Sequence, residues 1–408
     1  MLANLVPGAL ALLSLVLTLW QWLAARRFPL HRRVELTGFA PALTLLKSLK
    51  GCDEATEACL QSWFAQAYAG PVQLLFGVAT ADDPVCGLVR KLIGEFPDRD
   101  AQLLVCGPLA GTNLKVSKLA QLEPLAKHDT LVISDADVLV PRDFLGQVVS
   151  LLKSPETGLV NCFYRLANPV TVAMRWEAIA VNSDFWSQVL QARTLRPLDF
   201  ALGAVMVTRR HLLKNIGGFD SLVNCLADDF QLGNRIARQG HRIVLSPVVV
   251  ECWDKPMNWT EVWKHQLRWA RTIRVCRPLP YFFSLLSNGT LWPLLWASVN
   301  PTATVLGFCA GCWIMRIVTA LDQERMLSRG RTHSLGAAAP TTERPRFQSR
   351  WRLDYPGFVL LKDLLQTLIW LLAFLGNRLE WRGEKMLLRR DGTLIKADGS
   401  CASPPQEG

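Results

Sequence analysis

The sequence predicts an α/β protein with a mostly parallel sheet, held between N-terminal and C-terminal transmembrane helices. Two observations predict this architecture. Short apolar runs of strand length alternate with helix-like stretches from residue 42 to about residue 250, a pattern typical of βαβ units. Outside that region the chain has long stretches without charge, and half of its 408 residues are hydrophobic.

The alternating region defines a central domain over residues 40–255. The runs "LTLLKSL", "VQLLFGV", "AQLLVCG" and "TLVISD" are predicted strands, and residues 54–67, 84–95 and 115–126 are predicted helices. Continuously apolar strands are typical of a sheet that is covered on both faces. Ligands of such sheets bind beyond the carboxyl ends of the strands, so polar residues at those ends are candidates for a functional site.

The N-terminal segment is predicted to be a transmembrane helix. Residues 1–25 have no charged side chain and are numerous enough for one membrane span. Four arginines follow, Arg26, Arg27, Arg32 and Arg33. A secretory signal peptide would have its basic residues before the apolar run. The order found here predicts an external N-terminus and a cytoplasmic segment after the helix.

A second apolar region is predicted to be a transmembrane hairpin over residues 278–321. No charged residue lies between Arg277 and Arg316, and Asn300-Pro301 suits a tight turn between two spans. Arginines at both ends are expected to keep both ends in the cytoplasm.

The C-terminal part of the chain is predicted to stay on the cytoplasmic side. Residues 322–355 are polar and basic and are predicted to form a cytoplasmic loop. Residues 356–376 are apolar but contain Lys362 and Asp363, and a basic tail over 377–408 follows. A full crossing would export that basic tail, so an interfacial helix is favoured over a membrane-spanning one.

The formal net charge of +11 indicates an anionic partner. Anionic lipid headgroups and a nucleotide are the expected partners because of the membrane segments, and no basic run interleaved with aromatic residues indicates nucleic-acid binding. The eleven cysteines are scattered and predict no disulfide framework. No obligate protein partner is evident from the sequence.

Asp135 and Asp137 follow a predicted strand in the run "VISDADVLVP". An Asp-x-Asp pair at a strand end is typical of a hard-oxygen site for Mg²⁺ or Mn²⁺, which can bridge the protein to a diphosphate. The alternative is an ordinary turn after a strand, where Asp is common.

Two further acidic pairs begin predicted helices. Asp83, before Pro84, is a candidate hydrogen-bond acceptor for a base or ribose and also a candidate helix cap, and both roles can hold at once. Asp228 and Asp229 precede "FQLGNRIARQG", where two acids are favoured by the helix dipole. The functional alternative is a general base whose pKa is raised by its neighbour.

Residues 256–277 are predicted to form a basic juxtamembrane or interfacial helix. Its densest part, "KHQLRWARTIR", contains candidate ligands for a diphosphate, namely His265, Arg268, Trp269, Arg271 and Arg274. The alternative is an anchor to acidic lipids through arginine and tryptophan.

In this order the motifs resemble those of inverting, membrane-bound glycosyltransferases of the ceramide glucosyltransferase-like family, which is family 21 within the wider family-2 group. That family includes bacterial hopanoid-modifying glycosyltransferases. "ADDP", "SDAD" and "ADDF" resemble its three aspartate motifs. "LLKSLKGCD" resembles its opening strand and loop, with Ser48 in place of Pro, and "TNLKVSKL" resembles its loop near the nucleotide. "HQLRW" takes the place of (Q/R)xxRW, with His265 where animal members have Gln or Arg.

The resemblance implies a GT-A fold, which is a Rossmann-like α/β domain, and roles for individual residues. The implied residues for binding the UDP-sugar donor are Lys50, Asp83, Asn113, Lys115 and Asp135. The implied ligands of a divalent metal, Mg²⁺ or Mn²⁺, are Asp135 and Asp137. The implied catalytic residues are the base Asp229 and the motif residues His265, Arg268 and Trp269.

The implied activity is transfer of a sugar from a UDP-sugar to the hydroxyl of a membrane lipid. Glucose is the first candidate for the sugar, and the implied acceptor is ceramide-like. The enzyme would be a multi-pass protein of the bacterial inner membrane whose catalytic domain faces the cytoplasm. One alternative is transfer of N-acetylglucosamine to a hopanoid. A second is a processive polysaccharide synthase, which the small number of predicted spans disfavours. A membrane-anchored protein that has lost activity is disfavoured by the intact acidic motifs.

Overall fold

The structure is a computed structural model that describes residues 2–35, 38–329, 347–381 and 383–396. Eight strands form the main sheet: β1 (Leu43–Ser48), β2 (Val72–Val78), β3 (Asp100–Val105), β4 (Thr130–Ser134), β5 (Val138–Leu139), β6 (Thr157–Leu166), β7 (Val205–Arg209) and β8 (Arg242–Cys252). Three more form a small second sheet: β9 (Arg378–Trp381), β10 (Glu384–Leu388) and β11 (Leu394–Lys396).

The helices divide into those around the main sheet and those in the N- and C-terminal parts. The first group is α2 (Thr56–Phe64), α3 (Val85–Glu95), α4 (Leu114–Leu122), α5 (Phe144–Val149), α6 (Val172–Ile179), α7 (Trp186–Leu195), α8 (Arg210–Asn215), α9 (Asp228–Arg238) and α10 (Trp259–Cys276). The second group is α1 (Leu2–Arg27), α11 (Pro278–Phe283), α12 (Leu291–Val299), α13 (Ala303–Ser328) and α14 (Phe347–Phe374). A π-helical stretch, Ala180–Phe185, joins α6 to α7.

The main sheet confirms the predicted α/β class. Its strand order is β3-β2-β1-β4-β7-β6-β8-β5, and the first four strands are parallel to one another. Strand β7 is antiparallel to both of its neighbours, and β5 is antiparallel to β8. The four predicted apolar runs form β1 to β4, and the three predicted helices correspond to α2, α3 and α4, although α4 begins one residue earlier than predicted. This arrangement is the GT-A fold.

The central strands are apolar throughout because both faces of the sheet are covered. On β1 and β4, Leu46 and Ile133 pack into one hydrophobic cluster, whereas Leu45 and Val132 pack into the cluster on the other face. Successive side chains on a strand point to opposite faces, which explains this alternation. The carboxyl ends of β1, β2 and β4 consequently meet at one edge, which is where the acidic motifs lie.

Among the described residues, three helical segments are long and apolar enough to cross a membrane, namely Asn4–Arg27, Ala303–Ser328 and Tyr355–Phe374. The first two pack together with α12. At the far end of this bundle Trp296 Nε1 donates to Asn4 Oδ1 at 2.8 Å.

The hairpin predicted over residues 278–321 needs correction in its first arm. That arm is broken into α11, a short 3-10 turn and the nine-residue α12, and proline and glycine account for the breaks, including Pro278, Gly289 and Pro293. A nine-residue helix is about 14 Å long, about half of the bilayer's apolar thickness. The turn near Asn300-Pro301 is confirmed, and the second arm continues beyond the predicted end to Ser328.

The predicted loop over 322–355 is also shorter than expected, because α13 ends at Ser328 and α14 begins at Phe347. Residues 330–346 of that loop lie outside the described part of the chain.

The charges within residues 356–376 do not face solvent. Lys362 Nζ lies 2.6 Å from Asp363 Oδ1 and also pairs with Asp184. Arg316 of α13 donates to Asp363 at 2.9 Å and to Asp184 at 2.8 Å. This cluster, two cations and two anions, joins α13 and α14 to the π-helical stretch of the catalytic domain, and all four side chains are buried.

The segment predicted as a basic tail is folded over residues 378–381 and 383–396, and residues 397–408 of that tail lie outside the described part of the chain. Its three strands are antiparallel, and their apolar side chains pack on Leu226 beside α9. The backbone amide of Leu394 donates to Asn224 O at 2.7 Å. Leu379, Met386 and Leu388 occupy positions on one face of the sheet and supply the buried surface that a plain tail would lack.

Candidate active site

The acidic motifs and their basic partners surround one edge of the main sheet, at the carboxyl ends of β1, β2 and β4. The loop after β1 is fixed by Asp83, whose carboxylate accepts hydrogen bonds from the Gly51 amide at 2.9 and 3.1 Å and from the Val85 amide at 3.1 Å. Gly51 has φ +72°, a conformation that favours glycine. Asp83 therefore joins two strand ends, and Lys50 beside it is exposed.

Asn113 and Lys115 begin α4 at the same edge. The Asn113 side chain caps the helix by accepting from the backbone amides of Lys115 and Val116, and its Nδ2 donates to Cys225 O at 2.8 Å. Lys115 Nζ lies 2.6 Å from Asp135 Oδ1 and 3.1 Å from Asp228 Oδ2. Burial disfavours the charged amine, but the two carboxylates outweigh it and raise the pKa of Lys115.

Asp135 pairs with Lys115, whereas Asp137 forms no ion pair within the described part of the chain. Burial first, and then repulsion from Asp135 and Asp254, raises the pKa of Asp137 to about 7. A divalent cation would relieve both effects, because carboxylate oxygens are ligands that Mg²⁺ and Mn²⁺ prefer. The described residues contain no cluster of three or more His, Cys, Asp or Glu arranged for a metal. Asp135 and Asp137 would hold such a cation, which would supply charge neutralisation for a bound diphosphate.

Asp229 lies in the first turn of α9, across the cleft from Asp135. Its Oδ1 accepts from the Phe230 amide at 2.7 Å. Its Oδ2 lies so close to Gly203 that a Cβ there would be 2.9 Å away, which explains a glycine at that position. Burial and the adjacent Asp228 raise the pKa of Asp229 to about 7, against the opposing charge of Lys115. A carboxyl group with this pKa suits a general base near neutral pH.

The HxxRW helix, α10, closes the other side of the cleft. Asn258 caps it in a capping box with Glu261. His265 lies at 2.7 Å from Glu177 Oε1 through Nδ1, and its ring meets the Trp269 ring edge-on at 4.6 Å between centroids. Arg268 lies one turn beyond His265, partly buried.

Sequence reasoning missed Glu177. This residue of α6 is fully buried and accepts from both His265 and Gln266, the latter at 2.9 Å. Gln266 is itself buried, so His265 is the member of the pair that is partly open to the cleft. A lone acid inside the apolar helix "VAMRWEAI" was the available signal.

Lys47 was also missed. It lies in the buried strand β1, and its Nζ donates to Asp135 O at 2.5 Å and to Ser134 Oγ at 3.2 Å. Burial lowers the pKa of Lys47 to about 8. A lysine inside an apolar strand was the signal, since a buried lysine requires partners.

The structure brings together most of the predicted site residues. A mostly parallel α/β sheet with acidic side chains collected at one edge is the arrangement expected of a glycosyltransferase with a GT-A domain. Residues 6–394 match the family described as glycosyl transferase family 21, and the chain belongs to that family.

Three of the similar proteins have names that refer to lipids. The chain is 20% identical to ceramide glucosyltransferase 3 of Caenorhabditis elegans over 55% of this chain and 49% of that protein. It is 33% identical to ceramide glucosyltransferase of Candida albicans over 27% of this chain and 22% of that protein. It is 24% identical to beta-monoglucosyldiacylglycerol synthase of Nostoc sp. over 86% of this chain and 78% of that protein. The matches thus span about half or less of the first two relatives.

Among the solved structures to which the chain is similar is a mannosyltransferase of Pyrobaculum calidifontis in complex with GDP-Man and Mn²⁺. It is 19% identical, with a TM-score of 0.49, over 89% of this chain and 99% of that chain.

Proposed function

We propose that the protein is an inverting glycosyltransferase that transfers a sugar from a UDP-sugar to the hydroxyl of a membrane lipid. Glucose is the first candidate for the sugar. The observation that carries the proposal is the contact of Lys115 with both Asp135 and Asp228. One ammonium group thereby links the Asp-x-Asp pair to the acidic pair that contains the base. A donor diphosphate beside Asp135 would have its sugar within the same cleft as Asp229.

In this proposal the donor is held by charge and by fixed loops. Asp83 and Lys50 face the uridine side, and Asn113 fixes the start of α4. Lys115 and Arg268 offset phosphate charge as the UDP leaving group departs. A divalent cation on Asp135 and Asp137, when bound, neutralises charge on the diphosphate.

The proposed chemical step is one displacement. Asp229 accepts the proton of the lipid hydroxyl while that oxygen attacks the anomeric carbon, and the bond from that carbon to the diphosphate oxygen breaks. Attack from the opposite face converts an α-linked donor into a β-glycoside. His265 and Trp269, positioned by Glu177, line the cleft and keep the sugar in place for this attack.

The proposed acceptor is ceramide-like. The Nostoc relative, whose match covers 86% of this chain, favours diacylglycerol as the second candidate. Both lipids have a hydroxyl at the headgroup level. Transfer of N-acetylglucosamine to a hopanoid and polymer synthesis are the other outcomes that an experiment must distinguish.

The proposed location is the bacterial inner membrane, with the catalytic domain on the cytoplasmic face. The C-terminal halves of α1 and α13 contact the catalytic domain, and their N-terminal halves pack with α12. Helix α14 instead contacts it along its length, through Tyr355 with Ile179 and through Ile369 with Ala173. A helix that crosses the bilayer would carry one end about 30 Å away from that domain. Contact along its length therefore supports an interfacial position for α14.

The test is the lipid composition of cells that express the protein. Lipid extracts of cells with the wild-type protein and with Asp229→Asn are compared by mass spectrometry. The proposal predicts a new hexosylated ceramide or hexosyl-diacylglycerol in the wild-type extract alone. A hexosamine-hopanoid would replace the acceptor assignment, and a new polysaccharide without a new glycolipid would overturn the proposal.

A further inference from the structure

A cavity of about 620 Å³ lies between α10, α11, the end of α14 and the β10–β11 connection. Its lining residues are Arg274, Val275, Pro278, Gly376, Asn377 and Arg390. Two of these are cationic, and none of these six lining residues is acidic. The cavity is therefore electropositive.

This cavity is separate from the catalytic cleft. Arg274 follows His265 by nine residues, about two and a half turns of α10, so the two side chains point to opposite sides of the helix. Cys276, eleven residues after His265, returns to the cleft side, where the charge of Asp229 contributes to its raised pKa, mainly an effect of burial. The cavity thus lies behind the helix that closes the active site.

The arginines at the cavity have unused hydrogen-bonding capacity. Arg274 donates to Asn377 Oδ1 through Nη2, but its Nε is buried without a hydrogen-bond partner in the described chain. The Nε of the neighbouring Arg271 is also buried without a hydrogen-bond partner in the described chain, and its Nη1 donates to Arg378 O. Burial and the charge of Arg274 lower the pKa of Arg271. Arg271 and Arg274 repel each other, and neither forms an ion pair with an acidic side chain in the described chain, so a bound anion would offset their charge.

The rim of the cavity is strongly apolar. Leu279 follows the lining residue Pro278 and is 70% exposed, and Leu375 precedes the lining residue Gly376 and is 78% exposed. Phe282 and Phe283 on α11 are more than half exposed as well. Large exposed apolar side chains around a basic pocket suit the boundary between headgroups and acyl chains.

We propose that this cavity binds the phosphate of an anionic phospholipid, whose acyl chains contact the apolar rim. Arginine forms forked hydrogen bonds to phosphate oxygens, which Arg274 and Arg390 can supply from two sides. The bound lipid would join α10, which carries His265, to α11 and α14. The inference rests on the membrane position proposed above and is independent of which sugar and acceptor the enzyme uses.

The test measures lipid binding rather than activity. The full-length protein is purified in a non-ionic detergent, freed of lipid, and titrated with phosphatidylglycerol or phosphatidylcholine, with retained lipid counted by native mass spectrometry. The variant Arg274→Gln/Arg390→Gln is compared with Arg90→Gln/Arg238→Gln, which removes the same charge at exposed positions elsewhere. We expect wild type and control to bind phosphatidylglycerol more tightly than phosphatidylcholine, and the cavity variant to lose about tenfold in phosphatidylglycerol affinity.

Three results would overturn the proposal. Equal binding of the two lipids by the wild-type protein would exclude recognition of the anionic phosphate. An equal loss in the control variant would show a diffuse charge effect instead of a site. Binding of soluble glycerol 3-phosphate as tight as that of phosphatidylglycerol would indicate a free phosphate ligand and no role for the apolar rim. Each result is obtained without sugar transfer, so failure here is distinct from failure of the proposed glycosyltransferase activity.

Discussion

Asp229 shows how several neighbours act on one carboxyl group. Burial and Asp228 raise its pKa, whereas Lys115 lowers it. The motif "ADDF" was enough to predict the residue, but the balance depends on Lys115, which lies over a hundred positions earlier in the chain. Sequence patterns identify such residues one at a time, and the fold decides which of them share a cleft.

The pH dependence of transfer follows from this balance. The base must be a carboxylate, so kcat/KM is expected to fall as the pH drops below about 7, the pKa of Asp229 in the free enzyme. Asp228→Asn removes a charge that repels the Asp229 carboxylate. It also removes one of the carboxylates paired with Lys115, so the lysine charge acts more strongly on Asp229. Both changes lower the pKa of Asp229. The acid limb of the kcat/KM profile should therefore move to lower pH in the variant. An unchanged acid limb would contradict the assignment.

Glu177 is expected to act by positioning His265. Glu177→Gln removes the negative charge that accepts from Nδ1 of His265, and we expect kcat/KM for the donor to fall roughly tenfold through the displaced imidazole. The control is a double-mutant cycle with His265→Gln, in which Glu177→Gln should cost much less. An equal loss in both backgrounds, or a matching drop in thermal stability, would indicate a structural role alone.

Among the secondary-structure elements, the sequence predicted the strands and helices that are specified by residues close together in the chain. Strands β1 to β4 and helices α2 to α4 follow from apolar runs and turn residues. The first arm of the hairpin could not be predicted from hydropathy, because prolines interrupt an otherwise uncharged run. The small sheet over 378–396 was missed because its strands are short and its buried face exists only against Leu226.

The buried charge cluster fixes α13 and α14 to the catalytic domain. Arg316→Met would leave Asp184 and Asp363 with Lys362 as the remaining cation of the cluster, at an expected cost of about 3–5 kcal/mol. Arg26→Met breaks the partly exposed pair with Asp322 and should cost about 1 kcal/mol or less. Thermal unfolding in detergent compares the two variants. A similar unfolding temperature for both would show that the cluster does not stabilise this junction.

In the whole molecule, an α/β domain with an acidic cleft at the sheet edge is joined to a set of apolar helices. Helices α1 and α13 pack with α12 on one side of the catalytic domain. Helix α14 packs against α10, the helix with the HxxRW motif. Membership of family 21 and the named relatives agree with sugar transfer to a lipid. No local motif in the sequence identifies the acceptor.

The most direct test of the central claim separates chemistry from donor binding in purified protein. Asp229→Asn keeps the size of the side chain but removes the base, so we expect transfer from UDP-glucose to the lipid acceptor to fall by about 10²–10⁴-fold. Binding of UDP-glucose, measured by calorimetry, should stay within a few-fold of wild type. Transfer that survives largely intact in Asp229→Asn would contradict the account.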